Sequence, residues 1–199
     1  MDALSTLALI AGLGWASGVR LYAVLFFLGI LHHAAVLELP PDLELLAHPA
    51  VMVVSGLLFI TEFFADKIPG FDSLWDAVHT FIRIPGGALL AAAAVAHGDQ
   101  GLALAAGLLG GVFAAGAHFT KAGGRMLINA SPEPFSNWAA SLGEDTLALA
   151  ALWSAFKYPV LLLIALALFV LVAVLLAPRL LRGVRNVFAA IRRLLGHPA

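Results

Sequence analysis

From Pro159 to Pro178 the chain carries no charged residue, and Leu, Val, Ile, Ala and Phe fill the interval. A helix needs about twenty consecutive apolar residues to cross the hydrocarbon core of a bilayer, so this stretch reads as a transmembrane span. Five further apolar stretches, at about 5–35, 50–66, 75–97, 101–122 and 135–156, bring the count to about six. Hydrophobic residues make up 62% of the 199 and charged residues 12%. No soluble fold of this length hides that much apolar surface. The expected fold class is all-α: a polytopic membrane protein with about six transmembrane helices, several of them broken at mid-membrane.

The breaks are read from three places. A continuous helix from Leu4 to Val36 would reach about 50 Å, well beyond a core of about 30 Å, so it must tilt, bend or break. Gly12, Gly14, Ser17 and Gly18, just before Arg20, mark the place. In the third span Pro85 removes a backbone donor and is followed by Gly86 and Gly87. In the fifth, Gly143 precedes two acids, Glu144 and Asp145.

A membrane domain over 1–178 divides into candidate halves, 1–98 and 99–178. The segment Gly12–Arg20 matches Gly110–His118 in two glycines, an alanine and an aromatic pair, and sets Arg20 against His118. Three spans per half would give the inverted repeat common in transporters. A rival match sets Glu62–Lys67 and Trp75–Leu90 against His118–Arg125 and Pro134–Ala148, a parallel repeat of two spans. Residues 179–199 form a basic tail in which Leu180, Leu181, Val184, Phe188, Ile191 and Leu195 recur at helical spacing beside Arg182, Arg185, Arg192 and Arg193. Such a helix lies along an anionic leaflet. With an even number of spans, Lys67, Lys121, Arg125 and the tail arginines share one side with both termini, which makes that side cytoplasmic.

Ionisable residues inside apolar spans are costly unless they face one another or water, so they mark a functional centre by default. Asp76, His79 and Arg83 fall at spacings of three and four on one helical face, and His118, Lys121 and Arg125 repeat the pattern. The expected pathway for a substrate or ion is Arg20, Glu62, Asp76, His79, Arg83, His118, Lys121, Glu144 and Asp145; Arg125 shares the spacing but is not placed in it. The competing reading is a set of structural pairs, Arg20 with Glu144 or Arg83 with Glu62, that fix packing alone. Asp66 and Lys67, beside the Pro69–Gly70 turn, are placed at the interface, and His32, His33, His48 and His97 on solvated loop ends.

Other chemistry is excluded or unsupported. The chain has no cysteine, which removes thiol catalysis, disulfides and Cys-ligated metal sites. Gly12, Gly14 and Gly18 have no preceding strand, so they read as close helix packing rather than a dinucleotide loop. There is no phosphate loop, His-Glu-x-x-His signature or serine elbow, and nothing supports nucleic-acid binding. No cofactor is expected, and the residues alone do not identify a metal.

The strings Ala16–Tyr22, Glu62-x-x-x-Asp66–Lys67–Ile68–Pro69–Gly70, Trp75–Arg83 and Ser131–Asn137 resemble those of a bacterial membrane-protein family known as domain of unknown function 4126. The resemblance covers most of the chain apart from the basic tail. It implies a membrane location and a bacterial origin, and it carries no catalytic residues with it. The expected function is a small inner-membrane transporter or channel passing a small solute or ion, an anion among the candidates, with Arg20, Arg83 and His118 as the positive groups. The expected partners are the lipid bilayer, the solute and a second copy in a homodimer. The alternatives are a membrane-embedded enzyme acting on a lipid or prenyl head group, with Asp66, Asp72, Asp76 and His79 as its acid–base or metal set, and a non-catalytic scaffold.

Overall fold

The structure, a computed structural model, describes residues 2–97, 99–129 and 135–194; beyond Leu176 it describes the side chains of Pro178 and Arg182 alone. Six helices follow in order: α1 (Ala3–His33), α2 (Pro49–Ala65), α3 (Phe71–Ala93), α4 (Gln100–Ile128), α5 (Phe135–Lys157) and α6 (Pro159–Leu194). A short 3-10 segment, Pro41–Ala47, joins the first two. No strand occurs among the described residues.

Several helix starts have a local cause. Asp2 accepts the Ser5 N–H at 2.7 Å, and Asp99 accepts those of Gly101 and Leu102 at 2.7 and 3.1 Å. Each carboxylate satisfies donors that no helical carbonyl can reach, beside the positive end of the helix dipole. Helix α2 opens on Pro49, whose missing N–H is not needed there. Gly70, at φ 84°, makes the turn into α3, a conformation that favours glycine.

Helix α1 is the centre of the bundle. Every residue from Ala8 to Val24 is buried, and α2, α3, α4, α5 and α6 all pack against it. Small residues allow the approach. A Cβ at Gly14 would lie 2.5 Å from the Gly110 carbonyl oxygen, and one at Gly18 would lie 2.2 Å from that of Ala114. Dispersion contacts at this range, rather than burial from water, hold helices together in lipid. On the far side Trp15 sets its ring edge-on to Phe169, centroids 5.4 Å apart.

Arg20 breaks α1: its φ of −146° and ψ of 72° are not helical. Before the break, Ile10 clusters with Ala91 and Ala106, and Gly12 lies against Ala155 and Leu162, where α3 and α5 finish and α4 and α6 begin. After it, Gly29 lies against Leu46 and Met52, and Asp42 Oδ2 stands 3.2 Å from His97 Nδ1, again just past the end of α3. Both ends of α1 therefore lie towards the same end of the bundle, with Arg20 at the inner bend. The turn from α2 to α3, the end of α4 and the start of α5 lie towards the other end.

The break at Arg20 is the one expected from the glycines before it. The other two expected interruptions are absent: α3 runs through Pro85 and α5 through Gly143–Asp145. Pro85 forfeits one backbone bond, while Gly86 and Gly87 behind it let Leu21 and Ala114 pack closely. Helix α6 likewise continues through Pro178 into the tail, whose outward and inward faces fall outside the described side chains. The Ser131–Pro134 loop also falls outside the described residues.

Among the described residues three helices are long and apolar enough to cross a membrane, namely α1, α4 and the Pro159–Leu176 part of α6; Pro41–Ala47 with α2, bent by 69°, makes a fourth if counted as one span. The stretches α3 and α5 carry the charges described below. Gly14 meets Gly110 and Gly18 meets Ala114, so the first half of α1 and α4 run parallel. An inverted repeat that matches these two segments requires the opposite course.

Candidate functional site: a buried network of ion pairs

Five cations, Arg20, Lys67, Arg83, Lys121 and Arg125, and four of six carboxyls, Glu62, Asp66, Asp72 and Asp76, are almost wholly buried. The remaining two, Glu144 and Asp145, keep side-chain exposures of 16% and 14%. They come from five elements. Helix α1 supplies Arg20 at its break, the end of α2 Glu62 and Asp66, and the first half of α3 Asp72, Asp76 and Arg83. The last third of α4 gives Lys121 and Arg125 one turn apart, and the middle of α5 gives Glu144 and Asp145.

Arg20 is the hub. Its Nη1 pairs with Asp66, and its Nη2 donates to the carbonyl and hydroxyl oxygens of Ser141 at 3.1 and 3.0 Å. The same Nη2 stands 3.4 Å from Glu144, and Nε stands 2.8 Å from Asp145. Lys121 reaches Asp66 at 2.9 Å, Asp76 at 3.3 Å and Glu144 at 3.5 Å. It also donates at 3.4 Å to the carbonyl of Val19, the residue before the break. Arg125 forks onto Glu144, Nε and Nη2 each donating at 2.8 Å, and its Nη1 donates to the Asp66 carbonyl at 2.9 Å. Arg83 pairs with Glu62 and, at 2.5 Å, with Asp76. Removing one member of such a set strands its partners in low dielectric, which is where the energetic weight lies.

Histidine 118 joins the network as a neutral group. A guanidinium has no lone pair to offer, so Arg83 Nη1, 3.4 Å away, donates to His118 Nδ1. The ring proton is then on Nε2, which donates to Thr80 Oγ1 at 2.7 Å, and the Thr80 hydroxyl in turn donates to the Asp76 carbonyl at 3.0 Å. His79 stays outside. Its ring stacks on Trp75 at 4.1 Å, stands edge-on to Tyr22 at 5.6 Å, and its Nδ1 donates to the Trp75 carbonyl at 2.8 Å.

A further layer of hydrogen bonds closes the network towards the end of α4 and the start of α5. Asp72 Oδ1 accepts from the N–H groups of Gly70 and Ser73 and, at 2.7 Å, from Asn129 Nδ2. Asn137 donates to Asn129 Oδ1 at 2.6 Å and offers its own Oδ1 to Arg125 at 3.1 Å. Asp72 thus organises the first turn of α3. The set Asp66, Asp72, Asp76 and His79 does not form a shared site: the first and third are held by cations, Asp72 by backbone N–H groups, Asn129 and, at 3.8 Å, Arg125, and His79 by Trp75. Among the described residues no three His, Asp or Glu side chains are arranged to hold a metal ion.

Several buried carboxylate oxygens have no donor aimed at them: Glu62 Oε2, Asp66 Oδ1, Asp72 Oδ2, Asp76 Oδ2 and both oxygens of Asp145. Arg20 Nε is close to Asp145, but its N–H does not point along that contact. A network built only to staple helices would leave fewer such acceptors, since each costs about 1–3 kcal/mol of lost hydration. The grooves on the outside of the bundle are of another kind. One of about 430 Å³ between α1, α5 and α6 is lined by Trp15, Leu162, Phe169 and other apolar side chains.

Of the sequence-predicted residues, Arg20, Glu62, Asp76, Arg83, His118, Lys121, Glu144 and Asp145 come together, and His79 does not. The pairs Arg20–Glu144 and Arg83–Glu62 form as the sequence reading paired them. Asp66 and Lys67, which the sequence reading left out of the centre, join the buried network, 0% and 6% exposed. The signal was present: Asp66 lies four residues after Glu62 on the same face of α2. Arg125 extends the His118–Lys121 spacing in the same way, whereas Ser141, Asn129 and Asn137 carry no signal in sequence.

Fold and site together define a helical membrane protein built around a buried ion-pair network. A family model described as "Domain of unknown function (DUF4126)" matches residues 7–179, and the chain belongs to that family. Neither curated proteins nor solved structures yield a match.

Proposed function

We propose that the protein is a small membrane transporter or channel for a small cation, the proton included, with the ion-pair network as its passage. The observation that carries this reading is the set of buried carboxylate oxygens that no protein donor reaches. Six carboxyls face five cations, so full ionisation leaves a negative excess that a proton or another monovalent cation would balance. The expectation of an anionic solute is less well supported. Arg20 and Arg83 are each already held by two or more carboxylates, and His118 Nδ1 accepts from Arg83, so none of these three groups is free to hold an anion.

In this reading α1 is re-entrant: it dips from one face to Arg20 and returns, while α2 to α6 cross. The N-terminus then lies on the side of Glu38, Asp42, Glu44 and Asp99, and the basic tail with Lys67 on the other, which the positive-inside rule makes cytoplasmic. That revises the expectation that both termini share the cytoplasm. The inner membrane of a bacterium and a homodimer remain part of the proposal. Gly116, Gly123 and Gly124 leave open space on α4 that a second copy would fill.

Reconstitution into liposomes with a pH-sensitive dye inside tests the reading. Imposed gradients of sodium, potassium, ammonium and protons should drive a signal with wild type that Glu62→Gln and Asp76→Asn reduce. No signal with any cation, alongside uptake of chloride or phosphate, would overturn it.

A further inference from the structure

Lys67 differs from the other four buried cations. Arg20, Arg83, Lys121 and Arg125 are all ion-paired, whereas the hydrogen bonds of Lys67 go to neutral groups, with the charges of Asp145 and Asp66 acting on it through space. Its Nζ donates to the Phe63 carbonyl at 3.0 Å and to the Ser141 hydroxyl at 3.3 Å. It also lies 3.0 Å from the centre of the Phe63 ring and 5.6 Å from that of Trp138. Oxygen lone pairs and aromatic faces are the ligands that hold an ammonium ion. The Ser141 hydroxyl accepts from Arg20 as well, at 3.0 Å, so the cage shares a wall with the network. Trp138 is 51% exposed, so the cage sits at the network's edge.

We infer that Lys67 is the internal occupant of an ammonium site at the mouth of the network, and that a small primary ammonium ion takes its place when the passage is in use. The inference rests on the cation reading above. Withdrawing Lys67 separates no ion pair, so the four paired cations keep their partners during the exchange. Asp145, with two unbonded oxygens one turn along α5 from Ser141, is the next acceptor inward.

The test is Lys67→Ala in detergent, titrated with methylammonium against sodium and tetramethylammonium at equal ionic strength. Methylammonium should raise the Tm of Lys67→Ala saturably, by about 4 °C at roughly ten times its dissociation constant. Wild type and Lys67→Met, whose cages are filled, should not respond, and Phe63→Leu added to Lys67→Ala should abolish the response. A flat response of Lys67→Ala, or an equal one to sodium, would overturn the inference. Recovery of folded Lys67→Ala only with methylammonium present would support it; aggregation with and without the amine, while Lys67→Met folds, would reduce Lys67 to packing and overturn it. Methylammonium uptake by liposomes separates the two readings. Rescue without uptake by any variant overturns transport and leaves the cage, and uptake by wild type without rescue overturns the cage alone.

Discussion

Replacing Arg20 by methionine removes the hub of the network while keeping most of the side chain's length. Arg20 is fully buried and lies within ion-pair distance of Asp66, Glu144 and Asp145. The substitution therefore strands carboxylates that Lys121 and Arg125 only partly compensate. Breaking a buried pair from one side costs about 3–5 kcal/mol, which for a chain of this size lowers Tm by roughly 10 °C or more. Asp66→Asn should cost less, because it leaves cations that retain Glu144 and Asp76. The double variant should lose less than the sum of the two, by about 0.5–3 kcal/mol, since residues sharing one network couple. Unfolding in mixed micelles with a graded fraction of sodium dodecyl sulfate, followed by tryptophan fluorescence, gives all three values. Arg20→Met within about 0.5 kcal/mol of wild type, or strictly additive losses, would refute the assignment of Arg20 as hub.

The remaining predictions use the same preparation. Gly18→Ala should cost about 1–3 kcal/mol, because its Cβ would meet the Ala114 carbonyl oxygen at 2.2 Å, while Gly123→Ala, with open space, should be neutral to within about 0.5 kcal/mol. Since the chain has no cysteine, Asp42→Cys with His97→Cys should be joined by a short bis-maleimide within one chain, and failure to join would contradict the return of α1. Thiols placed at Ser5 and Asp42 should be labelled from one side of oriented vesicles and a thiol at Arg182 from the other; labelling of all three from one side would contradict the re-entrant course. His79→Phe should leave cation flux near wild type, because the ring stacks on Trp75 outside the network, and a loss as large as that of Glu62→Gln would place His79 in the passage.

Much of the architecture was legible because lipid imposes it. Runs such as Pro159–Pro178 admit no other reading, and all six apolar stretches became helices. The bend at Arg20 was legible from glycines that could only mean close approach, and those glycines do meet Gly110 and Ala114. Pro85 misled because a proline's local cost was weighed without the neighbours that offset it: Leu21 and Ala114 pack over the glycines behind it. Charges in the middle of spans identified the network, since they had to find partners. The partners themselves were harder to name. Asp66 and Lys67 stand beside an exposed Pro-Gly turn, which by pattern belongs to the interface, and only the tertiary fold brings the Asp66 backbone beneath Arg125. Ser141 and Asn137 are small polar residues whose role comes wholly from what crosses them.

Whether unbonded carboxylate oxygens in the network receive a cation is best decided by infrared difference spectroscopy on the reconstituted protein as salts are exchanged. Ammonium, potassium or sodium should shift the carboxylate stretching bands saturably and selectively, with the change diminished in Asp76→Asn and Glu62→Gln. A spectrum indifferent to every cation, with chloride or phosphate perturbing the guanidinium bands instead, would contradict the account.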